Sequence, residues 1–592
     1  MDKRVLMASV VSMGVVLIWI AFFGKPKHDE KKTDVAAPTA SVATANPATA
    51  QAAADGAKEP APKPTEKSAE KTDGPPAPPP AKATPVESTL ELAKHYRATF
   101  TSEGAAPTHW VLLDKQYKVD NPRESNKQAE PIDLVKTTVP NLPLTMIITS
   151  SPQAGAQLSV PADAMWTPQP QTDPNVLSYV WEDAVARVEK RFTLVPGTYQ
   201  VNLHVTIENK TDDKWMQPYV TWQLHGYQDP NIKPGGMFSK RVQLNSADCY
   251  NNGKVKRASF DELIKKGKVD QLGDVRWIAV AEQYFTTAIA VAPSTGQSVC
   301  TIEGGRDGSM SAMLALPVRN IHGQKPGPGI TGDKKAEYDA VAFMGPKILS
   351  QLDAVQTAGA SAHLGDLMEY GWGGLLEWLA RPMLAVLKAI HFVLPNWGVA
   401  IIFLTIILKA VTWFPTQKSL KSMKAMAKLK PEMDKLKERF ANDKNALNLA
   451  TMELYKKHGV NPLGGCLPIL IQMPIYIALY SMLGNSVELY RSPFVFWIRD
   501  LTAADPFFVL PIVTGLLMFV QQLTQPANPD QQQKMMMYLT PVMYTAFSIF
   551  LPAGLTIYIL TNTLLTFIQQ WLLKRDDKPA RPKAVATKPA RA

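Results

Sequence analysis

Five stretches in the final third of the chain, 396–416, 463–483, 506–523, 535–551 and 554–573, are nearly unbroken runs of apolar residues. Between them they hold a single charged side chain, Lys409, in the run VAIIFLTIILKAVTWF (399–414). A bilayer core accepts helices of about 20 such residues, so the pattern predicts a bundle of membrane-spanning helices. A lysine inside one of them costs roughly 2.5–3.5 kcal/mol on insertion scales, and an ionisable side chain retained at that cost is read as functional. If the first span ends near Thr416, Lys409 lies seven residues in, roughly 10 Å at ~1.5 Å per residue.

A sixth span is expected at the start. Residues 1–24 open with Lys3 and Arg4, run apolar from Val5 to Phe23, and lack a small-x-small cleavage pattern. That predicts a retained anchor. Basic residues then set the orientation. The loop 417–460 carries eleven Lys/Arg against five Asp/Glu, and the tail 574–592 seven against two, whereas the loop 484–505 carries two against three. With six spans and both termini inside, the two basic segments fall in the cytoplasm, as the positive-inside rule requires.

The stretch GWGGLLEWLARPMLAVLKAIHFVLP (371–395) is long enough to be a seventh span. Its Glu377, Arg381, Lys388 and His391 fall on one stripe at 100° per residue, which predicts an amphipathic helix in the interface. A seventh crossing would also place both basic segments outside.

The net charge of +11 gathers beside apolar runs, not on a compact basic domain, so it signals topology and not nucleic-acid binding. Residues 25–88 are rich in Ala, Pro and Lys and are read as a disordered linker. From 89 to 345 the texture turns to alternation: YQVNLHVTIEN (199–209), YVTWQLHGY (219–227) and VRWIAVAEQYFTTAIAVA (275–292) read as strands between Pro, Gly, Asn and Asp turns. A large exported β-sandwich is expected, with Trp181, Trp222 and Trp277 in its core. Cys249 and Cys300 share this domain and could pair, or stay free. The three cysteines and nine histidines form no metal-ligand spacing, and Asp333 stands where a phosphate loop needs lysine after Gly327 to Gly332. No catalytic constellation, metal site or cofactor motif is legible.

In the basic loop Met423, Met426, Leu429, Met433, Leu436 and Phe440 recur at spacings of 3, 3, 4, 3 and 4, and 446–457 supplies a second helix. An antiparallel cytoplasmic hairpin follows. Its methionines either form the hairpin's own seam or present a flexible surface to nascent apolar segments, and its lysines face water and anionic lipid.

The stretches NPLGGCLPILIQMPIYIALY (461–480) and SVELYRSPFVFWIRDLTAADP (486–506), the LPAGL turn (551–555) and NTLLTFIQQ (562–570) resemble the YidC/Oxa/Alb family of membrane protein insertases. The likeness runs from anchor to tail, and the large exported domain resembles the Gram-negative form. It implies a β-supersandwich similar to sugar mutarotases on a five-helix insertase core (396–573). It also implies a non-enzymatic insertase and folding chaperone of the inner membrane, without cofactors. That protein would act as a monomer on nascent inner-membrane proteins, alone or beside the Sec translocon. The ribosome is an implied partner through the basic tail and hairpin.

In the family a hydrophilic groove open to cytoplasm and lipid holds one cation, usually arginine. Lys409 stands at that position, with Thr405 one turn earlier, and Gln522 and Tyr558 are further lining candidates, each alternatively a polar group satisfied between helices. Lysine can lose its proton when desolvated, as arginine cannot, so the groove must stay wet. Ile559 replaces an aromatic common in relatives. The competing reading of the residues is a transporter or channel with Lys409 as its solute site. A third, a membrane-tethered carbohydrate-binding or isomerase domain, leaves five spans unexplained.

Overall fold

Alternating side chains build the first half of the molecule. In the strand Gln200–Asn209 the residues at every second position are buried, as a sheet with one face on a core demands. Central strands are covered on both faces: Val275–Ala281 and Phe285–Val291 are Val-, Ile- and Ala-rich and almost wholly buried. The computed structural model describes residues 84–92, 95–119, 130–212, 214–232, 245–293, 298–317, 330–331, 334–368, 370, 376–441, 443–461, 467–524 and 531–576. These residues all belong to one compact unit. The anchor expected over 1–24, most of the linker and nearly all of the basic tail lie outside them. Glu87 and Ser88, assigned above to the linker, already belong to the first strand, Glu87–Leu92.

Among the described residues nine antiparallel strands form one large sheet, with Lys335–Pro346 near its middle, and six form a second. The strand Val275–Ala281 of the first sheet packs across Ser309–Pro317 of the second. Trp222 is fully buried between the layers and Trp181 partly so; Trp277 is fully buried as well, but on the other face of the nine-stranded sheet, where its indole N–H donates to the His363 carbonyl at 3.1 Å. Cys249 and Cys300 are joined by a disulfide between the two sheets, their Cα atoms 6.5 Å apart. Among the described residues the domain also has a three-stranded sheet (Glu87–Leu92, Tyr96–Thr101, Ala106–Leu112) and two short helices, α1 (Phe260–Lys266) and α2 (Leu349–Asp353).

Helices follow: α3 (Glu377–Val393), α4 (Trp397–Lys428), α5 (Lys430–Arg439), α6 (Lys444–Lys457), α7 (Leu467–Asn485), α8 (Val509–Thr524), α9 (Gln531–Ser548) and α10 (Ala553–Asp576). Among the described residues α4 alone is both long and apolar enough to cross a bilayer by length and composition, and α8 is a shorter apolar helix. Against one another, α10 packs on α4 and α8, α3 on α4 and α7, and α9 on α8.

Two expectations change. The amphipathic helix read from Met423 to Phe440 is divided at Leu429, so that Met423 and Met426 ride on α4 and Met433 on α5. Pro431, in the first turn of α5, lacks the N–H that would continue the α4 ladder, and is favoured where a new helix starts. The hairpin itself is α5 against α6: Tyr455 donates to the Met433 sulfur at 3.0 Å, and His458 meets Glu432 at 3.3 Å.

The second change concerns the polar stripe of α3, which faces protein. Arg381 pairs with Glu377 at 2.5 Å and with Asp366 at 3.6 Å, Lys388 with Glu488 at 2.5 Å, and His391 stacks on Trp397. Every exposed position of α3 is instead apolar, Trp378, Val386, Phe392 and Val393 among them. The stripe repeats as the sequence says, and Glu377–Arg381 is an i,i+4 pair along it, but the partner of Lys388, Glu488, comes from a distant segment that periodicity does not reveal.

Candidate functional site

A helix in water turns its polar face outward; α4 does the reverse. Phe403, Ile406, Ile407, Val411 and Phe414 are exposed, while Thr405, Lys409, Thr412, Thr416 and Ser419 are buried. The buried polar residues are spaced 4, 3, 4 and 3, a straight stripe down one face. α10 repeats the inversion, with Leu564, Ile568 and Trp571 exposed and Thr563 and Gln569 buried. Such surfaces are stable only where the surroundings are apolar.

The two stripes meet. The Lys409 Nζ donates to Thr566 Oγ1 at 2.7 Å, and Gln569 Nε2 donates to the Trp413 carbonyl at 3.3 Å. Lys424 Nζ donates to the Leu573 carbonyl at 2.9 Å. These rungs advance together along both helices, so α4 and α10 run parallel through a polar seam. Nearer their N-termini the same helices bury apolar side chains instead, Ala400, Ile401 and Leu404 on α4 and Leu555, Ile557 and Ile559 on α10. The polar half is therefore the half toward the α5–α6 hairpin.

Most threonines of the seam use their hydroxyl hydrogens on their own helices. Thr405 donates to the Ile401 carbonyl at 2.6 Å, Thr412 to Leu408 at 2.9 Å, Thr416 to Thr412 at 2.6 Å and Thr566 to Asn562 at 2.7 Å. Their oxygens are left to offer lone pairs, so the seam is lined by acceptors and suits an ammonium. Lys409 is 7% exposed and Thr405 1%. No carboxylate pairs with Lys409 among the described residues.

The other residues picked out above stand apart. Tyr558 is buried and accepts from Gln472 Nε2 of α7, in a cluster with Tyr476 and Tyr544 rather than beside Lys409. Gln522 is half-buried on α8. Met423 and Met426 are half-buried on the far end of α4. Thr412, Thr416 and Ser419 escaped the reading of the sequence, although their heptad-like spacing after Lys409 was a usable signal. Thr566 and Gln569 carried none, because only packing shows which helix faces Lys409.

The joint at the opposite end of α4 is specific too. Asn396 caps the helix, its Oδ1 accepting from Val399 N–H at 3.1 Å while its Nδ2 donates to the Phe494 carbonyl at 3.0 Å. Gly398 permits this approach: a Cβ there would overlap the Phe494 ring. The β-domain holds a separate cleft of about 530 Å³, lined by Lys136, His225, Tyr227, Glu303, Asp307 and Ser311. Burial pushes the His225 imidazole down to about 4, so it is neutral at pH 7.

Comparison with known proteins is consistent along the whole chain. The model of the family described as 60Kd inner membrane protein matches residues 389–580, and that of the YidC periplasmic domain matches 93–386. The membrane protein insertase YidC of Anaeromyxobacter dehalogenans (strain 2CP-C) is 36% identical over 588 residues, covering 98% of each chain. The chain belongs to the YidC family of membrane protein insertases. A relative of the same name from Nitrosococcus oceani is 34% identical over 464 residues, 77% of this chain and 80% of that one. A solved structure described as an active YidC insertase with its first transmembrane domain resolved covers 82% of this chain and 94% of its own, at 17% identity and a TM-score of 0.32. Membership of the family places the protein in the inner membrane with a periplasmic β-domain, as the sequence led us to expect.

Proposed function

We propose that the protein inserts nascent inner-membrane proteins from the cytoplasmic side, and that the α4–α10 seam is its hydrophilic groove. The observation that carries this is the Lys409 ammonium, buried in an acceptor-lined stripe between helices whose outer faces are apolar. An acidic tail entering from the hairpin side finds the Lys409 ammonium, which still has donors to offer. The apolar segment behind it slides along exposed Phe, Ile and Val side chains into lipid, and its own transfer, about 25 cal/mol per Å² buried, drives the step. No covalent chemistry is needed, and the protein is a non-enzymatic insertase and chaperone.

In this reading the anchor and α4, α7, α8, α9 and α10 cross the membrane six times, both termini and the hairpin are cytoplasmic, and the β-domain is periplasmic. The apolar face of α3 lies in the outer leaflet, and the basic loop and tail reach anionic lipid and the ribosome. It works as a monomer, alone or with the Sec translocon. A solute channel through Lys409 is disfavoured by the apolar layer of Ile401, Leu404, Leu555 and Ile559 at the other half of the seam.

The test is insertion of a single-span substrate with an acidic translocated tail into proteoliposomes. Lys409→Arg should keep activity, and Lys409→Ala and Lys409→Glu should lose about tenfold or more. Equal insertion by all four proteins would reduce Lys409 to a structural charge.

A further inference from the structure

The groove reading leaves open how a flexible lysine side chain is aimed at its substrate. The ammonium carries three donors, and among the described residues its one hydrogen-bond partner is the hydroxyl of Thr566. That hydroxyl has already given its hydrogen to the Asn562 carbonyl, which turns an oxygen lone pair toward Nζ and strengthens it as an acceptor. One donor is thus held against α10 while two remain for a carboxylate, and the four-carbon stem is stretched across the seam. The next rung supports the arrangement. Gln569 is fully buried, its Nε2 is bound to the Trp413 carbonyl, and its Oε1 has no hydrogen-bond partner, a second acceptor one turn further along the same wall.

We propose that Thr566 is the positioning residue of the groove cation, holding the Lys409 ammonium so that two of its donors face an incoming acidic group and thereby setting the preference for acidic over neutral translocated segments. This rests on the groove reading above. Thr566 does not touch the substrate's apolar segment, so its loss should alter discrimination and leave the apolar slide intact. A lysine needs such a partner more than an arginine would. A guanidinium is planar and pre-organised, whereas an ammonium takes its direction from what holds it.

The experiment uses the full-length protein in proteoliposomes and two single-span substrates alike except for the tail, one with two aspartates and one with two asparagines. Initial insertion rate is followed against substrate concentration. Thr566→Val keeps the shape and removes the acceptor; it should lower the acidic-over-neutral ratio about tenfold, mainly through the half-saturating concentration of the acidic substrate. Thr566→Ser should restore the ratio. In a Lys409→Ala background Thr566→Val should add nothing, because the two residues act as one unit. An unchanged ratio in Thr566→Val, or an equal fall for both substrates, overturns the proposal, the latter outcome marking Thr566 as packing alone. If Lys409→Ala abolishes the acidic preference and Thr566→Val does not, the groove reading stands and only this inference falls; if Lys409→Ala keeps the preference, both fall.

Discussion

Lys190, far from the groove, shows how one residue can link stability to pH. It is fully buried in the β-domain, donates to the carbonyls of Ala105 at 2.8 Å and Leu144 at 2.7 Å, and lies over the rings of Phe192 and Trp222. Both carbonyls belong to residues with positive φ, so the lysine ties down two turns that an L-residue adopts at a cost. Burial without a carboxylate partner pulls its ammonium from 10.5 to about 7. The folded domain therefore binds fewer protons than the unfolded chain between about pH 7 and 10.5. Its stability rises with pH through that window, falls as pH drops back toward 7, and is flat below it, the full difference being several kcal/mol. Hydrogen exchange in the strands Ala186–Leu194 and Pro218–Tyr227, corrected for intrinsic rates, should slow more at pH 9 than at pH 7. Lys190→Met should flatten that dependence and weaken the domain at high pH by about 2–4 kcal/mol, since two buried carbonyls lose their donor. A profile unaltered by the substitution would show that another group titrates. Sequence could flag a lysine in an alternating strand, but alternation places it merely on the inner face; its partners lie 85 and 46 residues away.

At the scale of elements, apolar runs placed α7 to α10 to within a few residues, and capping chemistry explains where α4 begins. Asn396 both caps that helix and ties it to the 486–506 loop. Asn396→Ala should cost about 1–2 kcal/mol, the loss of a cap plus a tertiary hydrogen bond, and Asn396→Asp should recover the cap alone. The measurement is hydrogen exchange over the first two turns of α4, with the α5–α6 hairpin as an internal control that should not change. The end of α4 was less legible. Apolar residues give way to Lys and Ser after Thr416, which reads as the end of a span, yet the helix runs on to Lys428 because nothing between them breaks it. Composition reports where the solvent changes; the backbone ladder continues until Leu429 and Pro431 interrupt it.

In the whole molecule, the β-domain and the helices meet through a small, well-defined contact. Gln116 Nε2 donates to the carbonyls of Val487 at 3.1 Å and Glu488 at 3.2 Å, and Gln283 Nε2 to that of Gly484 at 2.8 Å. The Tyr490 ring packs among Tyr117, Tyr284 and Phe285. Arg381 and Lys388 of α3 reach to opposite sides, one to Asp366 of the β-domain's last segment and one to Glu488. Tyr490→Ala should therefore loosen the docking without unfolding either part, removing about 3 kcal/mol of packing. Limited proteolysis at the junction between the β-domain and α3 should accelerate severalfold while exchange inside the β-sandwich holds. Unchanged cleavage would mean that the contact is incidental.

The division of the chain into an alternating half and a helical half, the extent of most helices and the oddity of one lysine among apolar residues were all determined by the sequence. Each is a matter of local period, composition or cost, and needs no knowledge of neighbours. Tertiary structure alone decided that Thr566 holds Lys409, that Gln472 takes Tyr558 away from the seam, that α3 turns its charges inward, and that Cys249 meets Cys300. Those are pairings between segments 51 to 157 residues apart. A stripe fixes the face a side chain occupies, but only packing chooses what that face meets.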